Sequence, residues 1–310
     1  MGRHLMLRAG LVPAVAVALS AAASARELAP KLAAGGEVFV SSDSDETTVV
    51  RTAIDLDLRN QGPERRLGVR LEKAWYDPVD SGTRERERVF IQAADRAVGW
   101  NWSARIGTDG ESVIGAASAH DSSRFRKEFF IERDIVETQQ GLDREIYSTL
   151  AGAAIDLPAS ERTVFTALAG VQEFTGDNVR FHLRGNAVHV LDPEIGLSAQ
   201  LRGRYFHNTE PGEFDYYSPG WYAQVLPVAQ IRRFVSGWEL VAAGGLGLQR
   251  DSKSDWRRSD YAHVRFRSPP KPRNWLVQGE LTFTNAPSDS AAAGAGYHYF
   301  QTRLSVLRLL

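Results

Sequence analysis

The sequence predicts an all-β chain, an antiparallel transmembrane β-barrel of about 16 strands. Three observations predict it: a secretory leader, a period-2 alternation of apolar and polar residues over most of the remaining chain, and no later apolar run long enough for a membrane helix.

In the leader, residues 1–25, Arg3 and Arg8 give a positive start, Ala9 to Leu19 an apolar stretch and Ala23-Ser24-Ala25 a small-residue cleavage pattern. The apolar stretch falls short of the roughly 20 residues a membrane helix needs. The mature chain is therefore expected to begin near Arg26 and to lodge in the cell outer membrane. Residues 26–36 are expected to form a short periplasmic segment and residues 37–310 the barrel.

Composition narrows the function classes. The chain carries 37 Lys and Arg against 38 Asp and Glu, and without Arg3 and Arg8 it stays close to neutral. That balance, with no long run of one sign, argues against a general nucleic-acid partner. Cysteine is absent, which removes disulfides, thiolate metal sites and cysteine nucleophiles together. A closed hydrogen-bonded sheet is a way for an exported chain to be stable without disulfides.

The alternation is clearest from Val50 to Arg59, where Val50, Ile54, Leu56 and Leu58 share one face and Arg51, Asp55, Asp57 and Arg59 the other. After the turn Gln61-Gly62-Pro63-Glu64, Leu67, Val69 and Leu71 oppose Gly68, Arg70 and Glu72, so the pair reads as a hairpin. The pattern continues with Trp100, Trp102, Ala104 and Ile106, then with Val179, Phe181, Leu183 and Ala187 against Arg180, His182, Arg184 and Asn186. Leu197, Ala199, Leu201 and Tyr205 oppose Ser198, Gln200, Arg202 and Arg204. In the last third, Leu240, Leu246 and Leu248 oppose Glu239 and Gln249. Val264 and Phe266 oppose His263 and Arg265, and Leu281 and Phe283 oppose Glu280 and Thr282.

Three stretches read poorly. Glu161 to Phe174 is apolar on both faces, Arg84 to Arg88 is charged throughout, and Asp143 to Asp156 suits either a strand or a short helix; all three are assigned to strands. Strands counted this way run from near Glu37 to near Arg308, about 18 residues per strand and connection, which suits membrane-spanning strands of roughly 9 to 11 residues.

A soluble β-sandwich alternates too, with turn signals every 8 to 12 residues or so. Here the segments are longer and their polar faces are rich in Arg, Asp and Glu. Aromatic pairs also sit near expected strand ends, at Trp75-Tyr76, Tyr216-Tyr217 and Trp221-Tyr222, as girdles at the two lipid interfaces would. These features favour the membrane barrel.

Four stretches carry a family resemblance: Ser41 to Pro78, FTGDNVR at Phe174 to Arg180, FDYYSPGWYAQVLPVAQI at Phe214 to Ile231, and His263 to Asn285. Together they resemble the C-terminal barrel domains of exopolysaccharide export porins, the poly-N-acetylglucosamine porin and the outer-membrane component of cellulose secretion. The resemblance implies an exit pore for a polysaccharide, serving export and biofilm formation. In that family a periplasmic array of tetratricopeptide repeats precedes the barrel. Only about ten residues separate the expected cleavage site from the first strand here, so the resemblance implies a separate periplasmic repeat protein as a partner, with outer-membrane lipid around the barrel.

A barrel of about 16 strands leaves an aqueous lumen unless loops plug it. By the alternation, its lining includes Asp55, Asp57, Arg70, Glu72, Arg180, Arg184, Arg202, Arg204, Glu239, Arg265 and Glu280. They read either as a charged ladder that passes or selects a hydrophilic polymer, or as cross-strand ion pairs filling the interior. A general diffusion porin is the alternative function, and a barrel enzyme acting on lipid a third.

Little supports catalysis, and the chain is not expected to be an enzyme. His120, His182, His189, His207, His263 and His298 fall in no metal-ligand spacing, and no Gly-x-Ser-x-Gly elbow occurs. His182 and His263 are the candidates on lumen faces. Asp43, Asp45 and Glu46 lack the glycine and terminal glutamate of a calcium loop, and no cofactor or metal is expected. The glycines of Ala242 to Gly247 are read as places where a strand bends or a large neighbouring side chain lies over it.

Overall fold

The computed structural model describes residues 31–44, 47–79, 81–269, 274–287 and 297–310. The expected leader, its cleavage site, and Asp45 and Glu46 lie outside the described residues.

The sheet opens with β1 (Lys31–Asp43), β2 (Thr48–Asn60), β3 (Arg66–Asp77) and β4 (Arg84–Ala97). It continues with β5 (Trp100–Thr108), β6 (Val113–Asp121) and β7 (Lys127–Ile135). A short helix, α1 (Gln139–Asp143), leads into β8 (Tyr147–Pro158) and β9 (Thr163–Phe174). The rest are β10 (Val179–Asp192), β11 (Leu197–Asn208), β12 (Trp221–Val235), β13 (Trp238–Asp251), β14 (Ser254–Arg267), β15 (Trp275–Thr284) and β16 (Tyr299–Leu309). Each strand pairs antiparallel with its neighbours in sequence, and β1 pairs with β16, from Ala33 opposite Leu309 to Asp43 opposite Tyr299. The sheet is a closed barrel of 16 strands, as predicted.

Closure explains why so apolar an outer surface is compatible with the fold. Leu58 and Leu246 are 64% and 62% exposed, and Ile54, Leu56, Leu183 and Leu201 also point away from the barrel axis. A soluble protein does not carry so extensive an apolar belt, whereas hydrocarbon accepts it once every backbone group is paired in a ring without edges. Among the described residues no helix is long and apolar enough to cross a membrane, so the crossing is made by strands.

The two ends of the barrel differ. At the end holding Lys31 and Leu309, connections such as 98–99, 193–196 and 236–237 are tight turns. The opposite end carries the longer connections 136–146, 209–220 and 285–298. In barrels of this type short turns face the periplasm and long loops the exterior.

The structure corrects three expectations and bears out one doubtful strand. β1 begins at Lys31 rather than near Glu37, so the segment read as periplasmic contributes half a strand. Asp143 to Asp156 holds the end of a helix and a strand in succession, because α1 stops at Asp143 and β8 starts at Tyr147. Glu161 to Phe174 forms a strand as assigned, from Thr163, and places Leu168 on the lumen wall beside Arg184, which is why both of its faces look apolar. The paired aromatics do not form girdles as pairs. Successive side chains on a strand face opposite ways, so Trp75 is half-buried on the outside while Tyr76 is fully buried inside, and Trp221 and Tyr222 divide likewise.

Candidate functional site in the barrel lumen

Ion pairs linking strands that are not neighbours can form only through the interior, so they mark the lumen face directly. On β3, Arg70 donates to Glu37 of β1 at 2.6 Å, to Asp55 of β2 at 3.0 Å and to Glu72 of its own strand at 3.1 Å. Glu72 also accepts from Arg88 of β4 at 2.8 Å, and Arg88 reaches on to Asp134 of β7. Gln92 donates to Asp55 at 2.9 Å and to Asp57 at 3.2 Å. Arg51 pairs with Glu137. The network crosses the β1 to β7 side of the lumen, with a cavity of about 30 Å3 beside Arg70 and Arg105 and a larger one, about 1130 Å3, bordered by Glu72, Arg86, Arg88 and Asp109. Each buried charge there has a partner, as its burial requires.

Toward the exterior the same side turns apolar. Val49, Ala74, Tyr76, Phe90, Ile114, Ile135, Leu142 and Tyr147 form one buried cluster, with Leu142 of α1 packed among strand residues. The sequence places α1 there: Thr138 caps its N-terminus by accepting from the Gly141 amide at 3.1 Å. A second cluster joins Val136, Ile146, Phe174 and Tyr216, in which the Phe174 and Tyr216 rings stack with centroids 4.3 Å apart.

These contacts tie the connections 136–146 and 209–220 into a cover over the mouth. Arg180 lies beneath it, wholly buried between the rings of Phe174 and Phe206 at 5.0 and 4.6 Å, and donates to the Tyr217 carbonyl at 2.5 Å and to Asn208 at 2.8 Å. The Tyr217 hydroxyl donates to Asp251 at 2.6 Å. Burial raises the phenol pKa of both loop tyrosines, that of Tyr216 to about 12. For Tyr217, donation to the Asp251 carboxylate pushes the same way.

The β9 to β16 side is open. Three cavities of about 290, 250 and 260 Å3 lie along it, the first sharing Arg265 with the second and Arg202 with the third. Polar side chains border them: Arg202 donates to Gln200 at 2.9 and 3.0 Å, Gln200 donates to Gln230 at 3.1 Å, and the His263 ring bonds the Thr282 hydroxyl at 3.0 Å. Glu239 bridges Arg232 at 2.8 Å and Arg265 at 3.2 Å. Glycines shape this wall. A Cβ on Gly245 would meet Val228 at 2.7 Å and Leu226 at 3.3 Å, so those two side chains lie over the glycine as the sequence suggested.

The predicted lining residues therefore fall into two groups. Asp55, Asp57, Arg70 and Glu72 face inward but are locked in the ionic network, with Asp57, Arg70 and Glu72 buried, and Arg180 is sealed under the cover. Arg184, Arg202, Arg204, Glu239, Arg265 and Glu280 border the open cavities. Tyr261 also stands on the open wall, on the polar face that the alternation gives it with His263 and Arg265; sequence reasoning missed Gln230 and Arg232 there, and the alternation around Ile231 carried the signal for both. His182 is buried against Gln172 at 2.9 Å. Among the described residues no group of three or more His, Cys, Asp or Glu side chains could hold a metal ion.

The sequence matches no protein-family model and no curated protein. In fold, the chain is similar to a structure described as a bacterial polysaccharide outer membrane secretin, at 13% identity and a TM-score of 0.63 over 89% of this chain and 98% of that one. It also aligns with OprD of Pseudomonas aeruginosa at 9% identity and a TM-score of 0.44, over 91% and 96% of the two chains. OmpT of Vibrio cholerae aligns at 7% identity and a TM-score of 0.41, over 89% and 98%. The fold is that of an outer-membrane barrel.

Proposed function

We propose that this protein is an outer-membrane conduit for a hydrophilic polymer, one component of an exopolysaccharide secretion system. The observation that carries the reading is the set of three wall-sharing cavities bordered by arginine, glutamine and glutamate side chains on the β9 to β16 side of the lumen, across from the ion-paired side. A polymer needs a continuous hydrated track rather than one enclosed pocket, and side chains that bond hydroxyl groups in passing supply it. The fold likeness to a polysaccharide outer membrane secretin supports the same reading. So do the four stretches that resemble exopolysaccharide export porins.

On this reading the chain is exported after cleavage near Ala25 and works with a separate periplasmic repeat protein. The barrel performs no catalysis, and His182 and His263 are structural. The alternative is a general diffusion porin, which the same cavities also suit. Deletion of the gene decides between them: loss of secreted polysaccharide with uptake of small solutes unchanged supports the conduit. Unchanged secretion, with small-solute conductance of the purified protein in planar bilayers, overturns it in favour of the porin.

A further inference from the structure

Charge is divided unevenly between the two sides of the lumen. Arginine supplies the positive charge bordering the three cavities, at seven positions, and among the described residues only Glu239 and Glu280 oppose it there. The wall is strongly basic. The opposite side differs, since there Arg70 alone meets three carboxylates. Basic linings attract and pass anions.

Geometry concentrates this charge at one place. In the cavity of about 290 Å3, Arg202 of β11 reaches across two intervening strands to lie 4.7 Å from the ring centre of Tyr261 on β14. Gly245, opposite Tyr261 in the β13 to β14 register, has no side chain to obstruct that reach. The Tyr261 and His263 rings are nearly parallel, 12° apart, at 6.3 Å. Arg202 has neutral partners, the Gln200 amide oxygen and the Tyr261 ring, and among the described residues it forms no ion pair. Arg232 and Arg265 complete the cavity while sharing the single carboxylate of Glu239. Its volume equals about ten waters at roughly 30 Å3 each, room for a sugar unit with part of its hydration.

We propose that the cavity framed by Arg202, Arg232, Arg265, Tyr261 and His263 is a binding subsite for the carboxylate-bearing sugar of an acidic polysaccharide. The planar guanidinium forks meet the carboxylate, and the ring pair lies against the apolar face of the pyranose. This assignment rests on the conduit reading for its polymer and names the class of that polymer.

The test is binding to the full barrel in detergent by calorimetry, with oligogalacturonate as the probe and neutral dextran of equal length as the comparison. Oligogalacturonate is expected to bind, dextran at least tenfold more weakly, and added salt to weaken the acidic probe alone. Arg202→Glu is expected to reduce binding by tenfold or more, and Arg202→Gln by less; heat-modifiable gel mobility confirms that each variant is folded, and Arg202→Gln serves if Arg202→Glu does not fold. Equal binding of the two probes, or binding unchanged in both variants, overturns the subsite. Binding needs no transport, so the two proposals fail separately. Probe binding with secretion intact in a deletion strain overturns the conduit and keeps the subsite, and lost secretion without probe binding does the reverse.

Discussion

The Asp215 carboxylate accepts a hydrogen bond from the Thr138 hydroxyl at 2.6 Å and, through its second oxygen, from the Gln140 amide at 2.8 Å. One residue of the 209–220 connection thereby holds both the cap and the first turn of α1. The two connections that cover the mouth are latched together at this point. Asp215→Ala is expected to release the latch without opening the barrel. Hydrogen bonds to a charged group are worth about 1.5 to 3 kcal/mol, so the open population of the cover should rise by roughly tenfold or more. Limited proteolysis within 209–220 should quicken and single-channel conductance should rise, while heat-modifiable mobility stays unchanged. Conductance and cleavage both equal to the parent's would show that the latch does not hold the cover.

Alkaline pH should loosen the same cover. The Tyr216 phenol has its pKa raised by burial from 10.0 to about 12, and Tyr217 is raised as well. A raised pKa means that the folded state favours the protonated phenol, so the contribution is complete below pH 10 and is lost as pH climbs from 10 toward 12. Proteolytic release of the 209–220 segment is expected to rise over that window. In Tyr216→Phe, where stacking on Phe174 persists and the phenol is gone, the part of the rise owed to Tyr216 should vanish.

Legibility in the sequence followed the lipid. Val50 to Arg59 could be read because hydrocarbon outside and ions inside impose a strict two-residue period on β2. Arg84 to Arg88 could not, because near the exterior end of β4 the outer face is itself polar: Glu85 and Glu87 point outward, and Glu85 pairs with Lys73 at 2.7 Å. The division of the lumen was invisible for a different reason. Arg70 and Arg202 occupy equivalent positions in the alternation, and only the closed ring shows that one faces three carboxylates and the other a cavity. The cover was misread as part of a girdle, since nothing in one sequence says that Tyr216 turns inward to stack on the distant ring of Phe174.

The ionic side of the lumen should be intolerant of losing its central cation. Arg70→Ala leaves Glu37, Asp55 and Glu72 facing one another without the group that each of them binds. Removing one member of a buried ion pair costs about 3 to 5 kcal/mol. Urea titration in vesicles should register a loss in that range. Arg70→Lys should recover only part of it, because an ammonium cannot span three carboxylates as the guanidinium fork does. A midpoint unchanged in Arg70→Ala would mean that water, not Arg70, screens the acids.

Two glycines within strands separate backbone crowding from glycine's intrinsic cost. A Cβ on Gly247 would stand 2.1 Å from the Val225 carbonyl oxygen and 2.8 Å from the Leu226 Cα, both backbone atoms of the neighbouring strand, which can yield only by moving β12 away from β13. A Cβ on Gly185 would meet nothing within 4 Å. Alanine in a strand interior is otherwise favoured over glycine by roughly 0.5 to 1 kcal/mol. Gly185→Ala is therefore expected to fold at parental yield with equal or slightly greater stability. Gly247→Ala should lose about 1 to 3 kcal/mol, the usual cost of forcing an extra carbon into a packed site, and its refolding yield should drop on a heat-modifiability gel. Equal yields for the two variants would show that β12 and β13 separate freely at this point, between the pairs Val225 opposite Leu248 and Val228 opposite Gly245.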